Sequence, residues 1–237
     1  MDTITIGGDL TVHRLGFGAM RLTGPGSDPA EGRKILRRAV ELGIDFVDTA
    51  DSYDLGENET LIGDTIGAHE PVVVATKGGH VNLGRRWIPL GRPEYLYQQA
   101  LLSRKRLRRD RIDLYQLHRV DPTIPLADQI GALRQLREDG VVRHVGLSQV
   151  TVEQIEVARA ITPIVSVQNR YNVRERQDDG VVDYCTEHGI AFIPWAPLAP
   201  GVPPRDALRW LLDRSPMILP IPGTSRLAHL EKNAVGG

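Results

Sequence analysis

Four side chains of unlike chemistry stand beside apolar segments in the first half of the sequence: Asp48, Tyr53, Lys77 and His118. A carbonyl group that accepts a hydride also needs a proton on its oxygen, and a phenol with a pKa of about 10 is a weak donor at neutral pH. An adjacent ammonium lowers the pKa of a tyrosine, and a carboxylate keeps that ammonium charged and oriented. We therefore predict Tyr53 as the proton donor and Lys77 with Asp48 as the pair that tunes it. His118 would orient the carbonyl oxygen or join the proton relay.

This group of four residues lacks a hydride donor, because no amino-acid side chain can supply one, and a reduced nicotinamide cofactor is therefore needed. Taken singly, each residue has an ordinary alternative: Asp48 as a helix cap, Lys77 as a solvated loop residue and His118 as a turn residue. Their joint placement is what favours catalysis. A metal site is not predicted, because no second histidine lies at ligand spacing and the lysine would repel a cation.

The elements that must position these residues are apolar, β-branched segments that alternate with amphipathic helical segments. This alternation is typical of a parallel sheet buried on both faces. Eight such units close into a (β/α)8 TIM barrel of about 250 residues, and we predict that residues 1–237 form a single α/β domain of this type. The predicted strands are residues 15–19, 44–47, 72–75, 112–117, 145–147, 164–167, 190–193 and 217–221.

Local signals complete the predicted barrel. Residues 3–12 are expected to form an N-terminal β-hairpin with Gly7 and Gly8 in its turn. Gly43 and Gly140 follow helical repeats, where a left-handed residue ends a helix, and Thr151 has capping-box spacing to Gln154. An open doubly wound sheet is the alternative architecture, but residues 16–20 match its glycine-rich phosphate turn poorly.

Polar or aromatic side chains follow the predicted strands at their carboxyl ends. In a parallel barrel these ends meet on one face, where active sites are built from the loops that follow. The residues at these positions are Asp48, Lys77, His118, Ser148, Gln168 and Trp195, with Gly223, Thr224 and Ser225 after the last strand. The sequence therefore predicts one site at the mouth of the barrel.

Composition argues against several classes of function. The formal net charge of -1 does not suit a protein that coats nucleic acid or anionic membrane, and we interpret the cationic run at residues 104–111 as a solvated helix end. Cys185 is the single cysteine; it is predicted to be a small core residue and fits a reducing compartment. The chain shows no secretion signal and no apolar run of about 18 residues, so a cytoplasmic protein that does not span a membrane is expected. The oligomeric state is left open.

Six segments occur in the order of the motif series of the aldo-keto reductase family and resemble it. They are DFVDTADSY (45–53), VATKGG (74–79), IDLYQLH (112–118), GLS (146–148), VQNRYN (167–172) and IPGTS (221–225). The resemblance covers nearly the whole chain. It implies the tetrad Asp48, Tyr53, Lys77 and His118, a (β/α)8 barrel without a Rossmann fold, and NADPH as the preferred cofactor over NADH.

The resemblance also implies how the nicotinamide is held. Ser148 and Gln168 match residues that hydrogen-bond the carboxamide, and Trp195 falls where the family usually places a tyrosine stacked on the ring. Capping of strand ends and a structural core tryptophan are the alternatives.

The phosphate and adenine end of the cofactor is expected near the last strand. The helix that follows Gly223 offers N-terminal amides to a phosphate, Arg226 or His229 would bind the adenosine 2′-phosphate, and Asn233 matches a family contact to adenine. The full predicted cofactor-binding set is Met20, Asp48, Ser148, Gln149, Gln168, Trp195, Pro197, Leu198, Gly223, Thr224, Ser225, Arg226, His229 and Asn233.

The sequence departs from the family in several places. Gln149 stands where asparagine is usual, and Lys232 stands where a glutamate is common. Segments 22–29 and 197–209 look short, and the usual tail is absent after Gly237. Two explanations stay open: a compact reductase, or a sequence from which mobile cofactor-covering loops are missing, which the placement of both segments favours. An intact mass near 26.2 kDa would contradict the second explanation.

The substrate pocket is predicted at Arg21, at Trp87 in segment 84–92 and at Arg119, with Met20 as a further candidate. An arginine there suits a polar or anionic aldehyde. The main hypothesis is NADPH-dependent reduction of a small-molecule aldehyde or ketone to the alcohol. One alternative is an NADP(H)-binding sensor or regulatory subunit on the same barrel with slow turnover. A non-redox lyase or isomerase is the other.

Overall fold

The computed structural model describes residues 2–67, 72–84 and 86–234. Residue 85 of the predicted pocket segment and the chain end at Gly237 lie outside the described residues. In chain order the strands are β1 (Thr3–Ile6), β2 (Leu10–His13), β3 (Phe17–Gly18), β4 (Phe46–Asp48), β5 (Val73–Gly78), β6 (His80–Asn82), β7 (Trp87–Pro89), β8 (Ile112–Leu117), β9 (Val142–Ser148), β10 (Ile164–Gln168) and β11 (Ala191–Phe192). The α-helices are α1 (Pro29–Glu41), α2 (Glu57–Ile66), α3 (Pro93–Arg106), α4 (Leu126–Glu138), α5 (Val152–Arg159), α6 (Asp179–Glu187), α7 (Pro204–Arg214) and α8 (Leu227–Ala234).

A parallel sheet forms the centre of the fold. Its hydrogen-bonded order is β3-β4-β5-β8-β9-β10-β11, and each strand pairs in parallel with its neighbours. Residues 217–222, here named the closing segment, run between β11 and β3. The predicted (β/α)8 barrel is confirmed, and the open sheet is excluded because the two edges are joined.

Hydrogen bonds on both sides of the closing segment complete the barrel. Towards β11, the backbone of Phe192 donates at 2.8 Å and accepts at 2.9 Å. Towards β3, Gly16 and Gly18 donate to the carbonyls of Pro220 and Pro222 at 3.0 and 3.5 Å. The segment predicted as the eighth strand is therefore not a regular strand: among the described residues it forms one isolated parallel bridge, between Ile218 and Phe192, and its prolines have no N–H to donate.

The predicted N-terminal hairpin is also confirmed. β1 and β2 pair antiparallel, and Gly7 and Gly8 in the turn have φ of 63° and 85°, in the left-handed region that suits glycine. The apolar residues of the hairpin belong to the same buried cluster as Phe46 and Val73, which begin their strands. The hairpin therefore packs at the amino-terminal ends of the barrel strands and leaves the opposite face free.

Helices cover the outside of the sheet, and their ends follow the predicted signals. The side chain of Asp28 caps the amino terminus of α1, and after α1 the chain turns at Gly43, whose φ is 88°. Gly140 has φ of 71° after α4, and Thr151 forms the complete capping box with Gln154 at α5. None of the helices in residues 2–67, 72–84 and 86–234 has the length and apolar character of a membrane span.

Two features differ from the sequence-based expectations. The loop after β5 contains the β6–β7 hairpin, in which Leu83 donates to the carbonyl of Arg86 at 2.8 Å. At the end of α3, Arg106 is not simply solvated, because its guanidinium donates at 2.7 Å to the carboxylate of the buried Glu59. Cys185 is fully buried, as expected.

Candidate active site

The innermost feature of the barrel mouth is a buried ion pair between β4 and β5. Lys77 has no exposed surface, and its Nζ donates to Asp48 Oδ2 and to the carbonyl of Thr49, each at 2.7 Å. Asp48 Oδ1 accepts from Gln168 Nε2 at 2.8 Å and from Gln116 Nε2 at 3.4 Å. Because four strands contribute to this network, the carboxylate and the ammonium are held in one geometry.

Tyr53 lies beside this pair, its hydroxyl 3.3 Å from Lys77 Nζ. Burial raises the pKa of Tyr53 above its ordinary value, and Lys77 opposes that shift without reversing it. The expected lowering of the tyrosine pKa is therefore present as an influence but is outweighed by desolvation. The pKa of Lys77 is itself raised: burial lowers it, but Asp48 and Tyr53 more than compensate. At neutral pH the pair is a neutral phenol and a charged ammonium.

His118 follows β8 and faces Tyr53, with the two rings edge to face and their centroids 5.8 Å apart. Burial lowers the pKa of His118 well below its usual value, and Lys77 and Arg119 add to the shift. The imidazole is therefore neutral, with one N–H to donate. Ser52 Oγ lies 3.5 Å from Nδ1, within weak hydrogen-bond reach.

Aromatic rings continue from His118 towards the β6–β7 hairpin. His80 lies edge to face with His118 at 5.0 Å between centroids, and Trp87 lies 5.1 Å from His80. Burial, with Arg119 nearby, lowers the pKa of His80 to about 4, so its ring is neutral. Its Nδ1 is buried and has no hydrogen-bond partner within the described residues.

Arg119 brings a positive charge to the same wall. One guanidinium nitrogen, Nη1, donates to the carbonyl of His118 at 2.6 Å and to Ser148 Oγ at 3.1 Å. Burial lowers the pKa of Arg119 from its ordinary value, which still leaves the group charged at neutral pH. The guanidinium is thus fixed in orientation beside the tetrad.

These residues line a cavity of about 600 Å³ at the carboxyl ends of the strands. This volume suits a cofactor ring together with a small substrate. Predicted site residues on its wall are Met20, Arg21, Asp48, Tyr53, Trp87, His118, Arg119, Ser148, Gln168, Trp195, Pro197, Leu198 and Gly223. Residues on the wall that were not predicted are Gly18, His80, Ala196, Ile221 and Pro222.

The remaining predicted residues lie away from the cavity wall. Lys77 is beneath it, and Gln149 lies at the edge of the Trp195 ring and accepts a hydrogen bond from its Nε1. The phosphate-end residues follow Gly223: Thr224 Oγ1 accepts from the backbone N–H of Arg226 at 3.0 Å. Of the others, Ser225, Arg226 and His229 are exposed, whereas Asn233 is buried in α8 with 5% of its surface exposed.

Each of the two short segments contains a hydrogen-bonded turn that leads into a helix. In the first, Ser27 donates to the carbonyl of Gly24 at 3.0 Å before α1 begins. In the second, Val202 donates to the carbonyl of Ala199 at 3.2 Å, and α7 starts at Pro204. The cavity is therefore bordered on this side by only a few residues after Leu198.

Sequence reasoning missed the polar residues that hold the tetrad from behind. Gln116 lies in an apolar strand two residues before His118, so strand alternation places both on one face, and this was a usable signal. Thr49 acts through its backbone carbonyl, and His80 belongs to a hairpin that was not predicted. Neither had a signal in the sequence.

Comparisons with known proteins agree with this geometry. The profile described as "Aldo/keto reductase family" matches residues 14–206. An uncharacterized oxidoreductase, C215.11c, from Schizosaccharomyces pombe is 44% identical over 95% of this chain and 82% of its own length. Pyridoxine 4-dehydrogenase from Escherichia coli is 35% identical over 98% and 91%. The solved holo form of the aldo-keto reductase AKR11C1 from Bacillus halodurans is 27% identical with a TM-score of 0.85, covering 100% of this chain and 90% of that one. With the tetrad assembled at the mouth of a closed barrel and the profile spanning most of the sequence, the chain belongs to the aldo/keto reductase family.

Proposed function

We propose that this oxidoreductase reduces an aldehyde or ketone to the alcohol with NADPH, and that Tyr53 donates the proton. The observation that carries the proposal is the position of the buried Lys77 Nζ, 2.7 Å from Asp48 and 3.3 Å from the hydroxyl of Tyr53, at the floor of the cavity. An ammonium that is paired with a carboxylate and lies beside a phenol at a cavity can stabilise the phenolate as it forms.

The residues present fit a nicotinamide nucleotide. Trp195 offers an aromatic face to the cavity, and Ser148 and Gln168 bring a hydroxyl and an amide to the same wall. Gly223 leads from this wall to the exposed Arg226, where a phosphate would meet a cation. Membership of the family supports NADPH as the cofactor. When bound, NADPH supplies the hydride that adds to the carbonyl carbon.

The side chains of this chain provide the proton and the charge stabilisation. Tyr53 is a neutral phenol and transfers its proton to the carbonyl oxygen, which becomes the alcohol hydroxyl. Lys77 stabilises the phenolate that remains, and Asp48 keeps the ammonium in place. His118 is neutral, and in the tautomer in which Nδ1 accepts from Ser52 its Nε2–H donates to the carbonyl oxygen and orients it.

A narrower candidate substrate is a flat aromatic aldehyde with an anionic oxygen. The wall made by His80 and Trp87 offers aromatic faces, and Arg119 offers a fixed cation next to them. The relative named pyridoxine 4-dehydrogenase supports this class, since the aldehyde made by oxidation at the 4-hydroxymethyl group of pyridoxine is such a molecule.

Turnover of NADPH with a panel of aromatic aldehydes tests the proposal. The wild type should oxidise NADPH, and Tyr53→Phe should lower kcat by about 10²- to 10⁴-fold while the Kd for NADPH stays within about twofold. Tyr97→Phe, which removes an exposed hydroxyl bonded to Asp139, is the matched control and should behave as wild type. Wild-type turnover in Tyr53→Phe would show that the proton comes from another group. NADPH binding without turnover would favour the sensor alternative, and no NADPH binding would favour a lyase or isomerase.

A further inference from the structure

Trp195 is held by contacts that no part of the proposed chemistry requires. Its Nε1 donates to Gln149 Oε1 at 2.6 Å, and the backbone N–H of Arg170 donates to the same oxygen at 2.7 Å. The guanidinium of Arg170 lies over the indole ring, 5.2 Å from its centroid, and is itself held by Glu175 at 2.8 Å. Gln149, Arg170 and Glu175 are here named the indole brace.

The assignment of the Gln149 oxygen follows from the donors around it. Both the indole N–H and the backbone N–H can only donate, so the atom between them must be the acceptor of the amide. Two donors then occupy the carbonyl end of Gln149. Since Gln149 does not line the cavity whereas Trp195 does, the side chain points at the indole and away from a bound ligand.

The backbone of Gln149 adopts a conformation of raised energy in order to make this contact. Its φ is 54°, in the left-handed region, although it is not glycine. A residue there costs roughly 1 kcal/mol more than glycine would. Asparagine tolerates this conformation better but is one methylene shorter, so it could not reach both donors from the same backbone position. The length of Gln149 therefore matches the span to Trp195.

We propose that Gln149 is a positioning residue, which fixes the tilt of the Trp195 indole so that its free face forms the surface on which the nicotinamide ring lies. The inference rests on the proposed function, because only the proposed function identifies the ring that lies on Trp195 as a nicotinamide. Arg170 lies over the indole but does not line the cavity, so it is placed on the face of the ring away from the cavity. Gln149 therefore fixes the edge of the ring, and Arg170, held by Glu175, fixes its back. Gln149 thereby acts on the cofactor through Trp195 and not by holding the carboxamide.

The contact is tested first in the free protein by ¹H–¹⁵N spectra of the indole N–H groups. Three tryptophans give three indole signals, and Trp195→Phe assigns one of them. Gln149→Leu should move that signal upfield and leave the other two in place, whereas Gln149→Glu, which keeps an acceptor, should hold it downfield. An unchanged Trp195 signal in Gln149→Leu would overturn the inference without touching the proposed function.

A double-mutant cycle on NADPH affinity then separates the two ways in which Gln149 could act. By calorimetric titration, Gln149→Leu should weaken NADPH binding about three- to tenfold, the effect of one neutral hydrogen bond. In a Trp195→Phe background, which lacks the indole N–H, the same change should alter the Kd by less than about twofold. An equal loss in both backgrounds would mean that Gln149 contacts the cofactor directly.

Controls keep these outcomes distinct from misfolding and from failure of the proposed function. Gln135→Leu, on the exposed face of α4 where the side chain donates to Asp139, repeats the chemical change and should leave both readouts unchanged. If Gln149→Leu does not fold, Gln149→Asn replaces it and should shift the indole signal in the same direction. If the wild type binds no NADPH, the proposed function fails, while the spectra still decide the indole contact.

Discussion

Replacement of Asp51 by asparagine should remove a pH-dependent loss of unfolding free energy that is caused by a carboxyl group directly behind the tetrad. Asp51 is buried, its backbone N–H donates to the carbonyl of Lys77 at 3.1 Å, and its Oδ1 is buried with no hydrogen-bond partner within the described residues. Burial raises the pKa of Asp51 from 3.8 to about 8, the carboxylate of Glu59 adds to this shift, and Arg106 opposes it. At neutral pH the folded protein therefore holds a neutral carboxyl group here.

The magnitude follows from the difference between the two pKa values. Because the folded-state pKa is the higher one, folding takes up a proton, and the stability from this group is complete below the unfolded value of 3.8 and is lost as pH rises through about 8. Each pH unit in this window costs about 1.4 kcal/mol of unfolding free energy. Between about pH 5 and about pH 7.5 the wild type should therefore lose about 3 kcal/mol that Asp51→Asn does not lose.

Urea denaturation of both proteins at the two pH values measures this difference. Any steric or hydrogen-bond effect of the amide is the same at both values and cancels, as do all groups that the two proteins share. Asp110→Asn, at an exposed carboxylate, should give the same change in unfolding free energy at both pH values. If Asp51→Asn behaves like Asp110→Asn, Asp51 is ionised in the folded protein and the reasoning from burial is wrong.

Two further predictions concern the loop after Tyr53 and the charge in the cavity. Leu55 is 77% exposed with φ of 53°, so Leu55→Gly should raise the free energy of unfolding in urea by about 1 kcal/mol through relief of left-handed strain, while Leu55→Ala stays near wild type; a glycine variant less stable than the alanine variant would argue against strain. Arg119→Met should raise the KM for 4-carboxybenzaldehyde about tenfold or more and leave the KM for benzaldehyde within about twofold. Equal effects on both aldehydes would mean that Arg119 acts only by holding His118 and Ser148.

Sequence reasoning succeeded where the signal was local or repeated. Strand β8 was predicted with its observed bounds because Ile112, Leu114, Tyr115 and Leu117 make a short, mainly apolar segment between two helical segments. Gly43 and Gly140 marked helix ends because only a left-handed residue fits there. The tetrad was predicted because the carboxyl ends of parallel strands must meet on one face. Asp48, Lys77 and His118 lie at the carboxyl ends of three strands, or directly after them, and that topology alone brings them together.

The failures concern quantities set by three-dimensional packing. The direction of the Tyr53 pKa shift depends on whether burial or the nearby ammonium is stronger, and no sequence pattern gives the degree of burial. The β6–β7 hairpin is short and contains Pro89, so its strands carry no clear alternation. Arg106 was predicted to be a solvated surface cation, because its partner Glu59 is distant in sequence and the pair has no local signal. The site assignments of individual cofactor-binding residues stay predictions.

The junction between the closing segment and β3 is the line along which the barrel should open most easily. Pro220 and Pro222 present carbonyls to β3 but no N–H groups, so this junction has acceptors only and lacks the reciprocal donations of a regular parallel pair. Local opening should therefore start along this line before it reaches the fully paired strands. Gly18 on one side of the junction and Gly223 on the other both line the cavity. A ligand that contacts both Gly18 and Gly223 binds the closed junction and not the open one, so part of its binding free energy stabilises the whole barrel against opening.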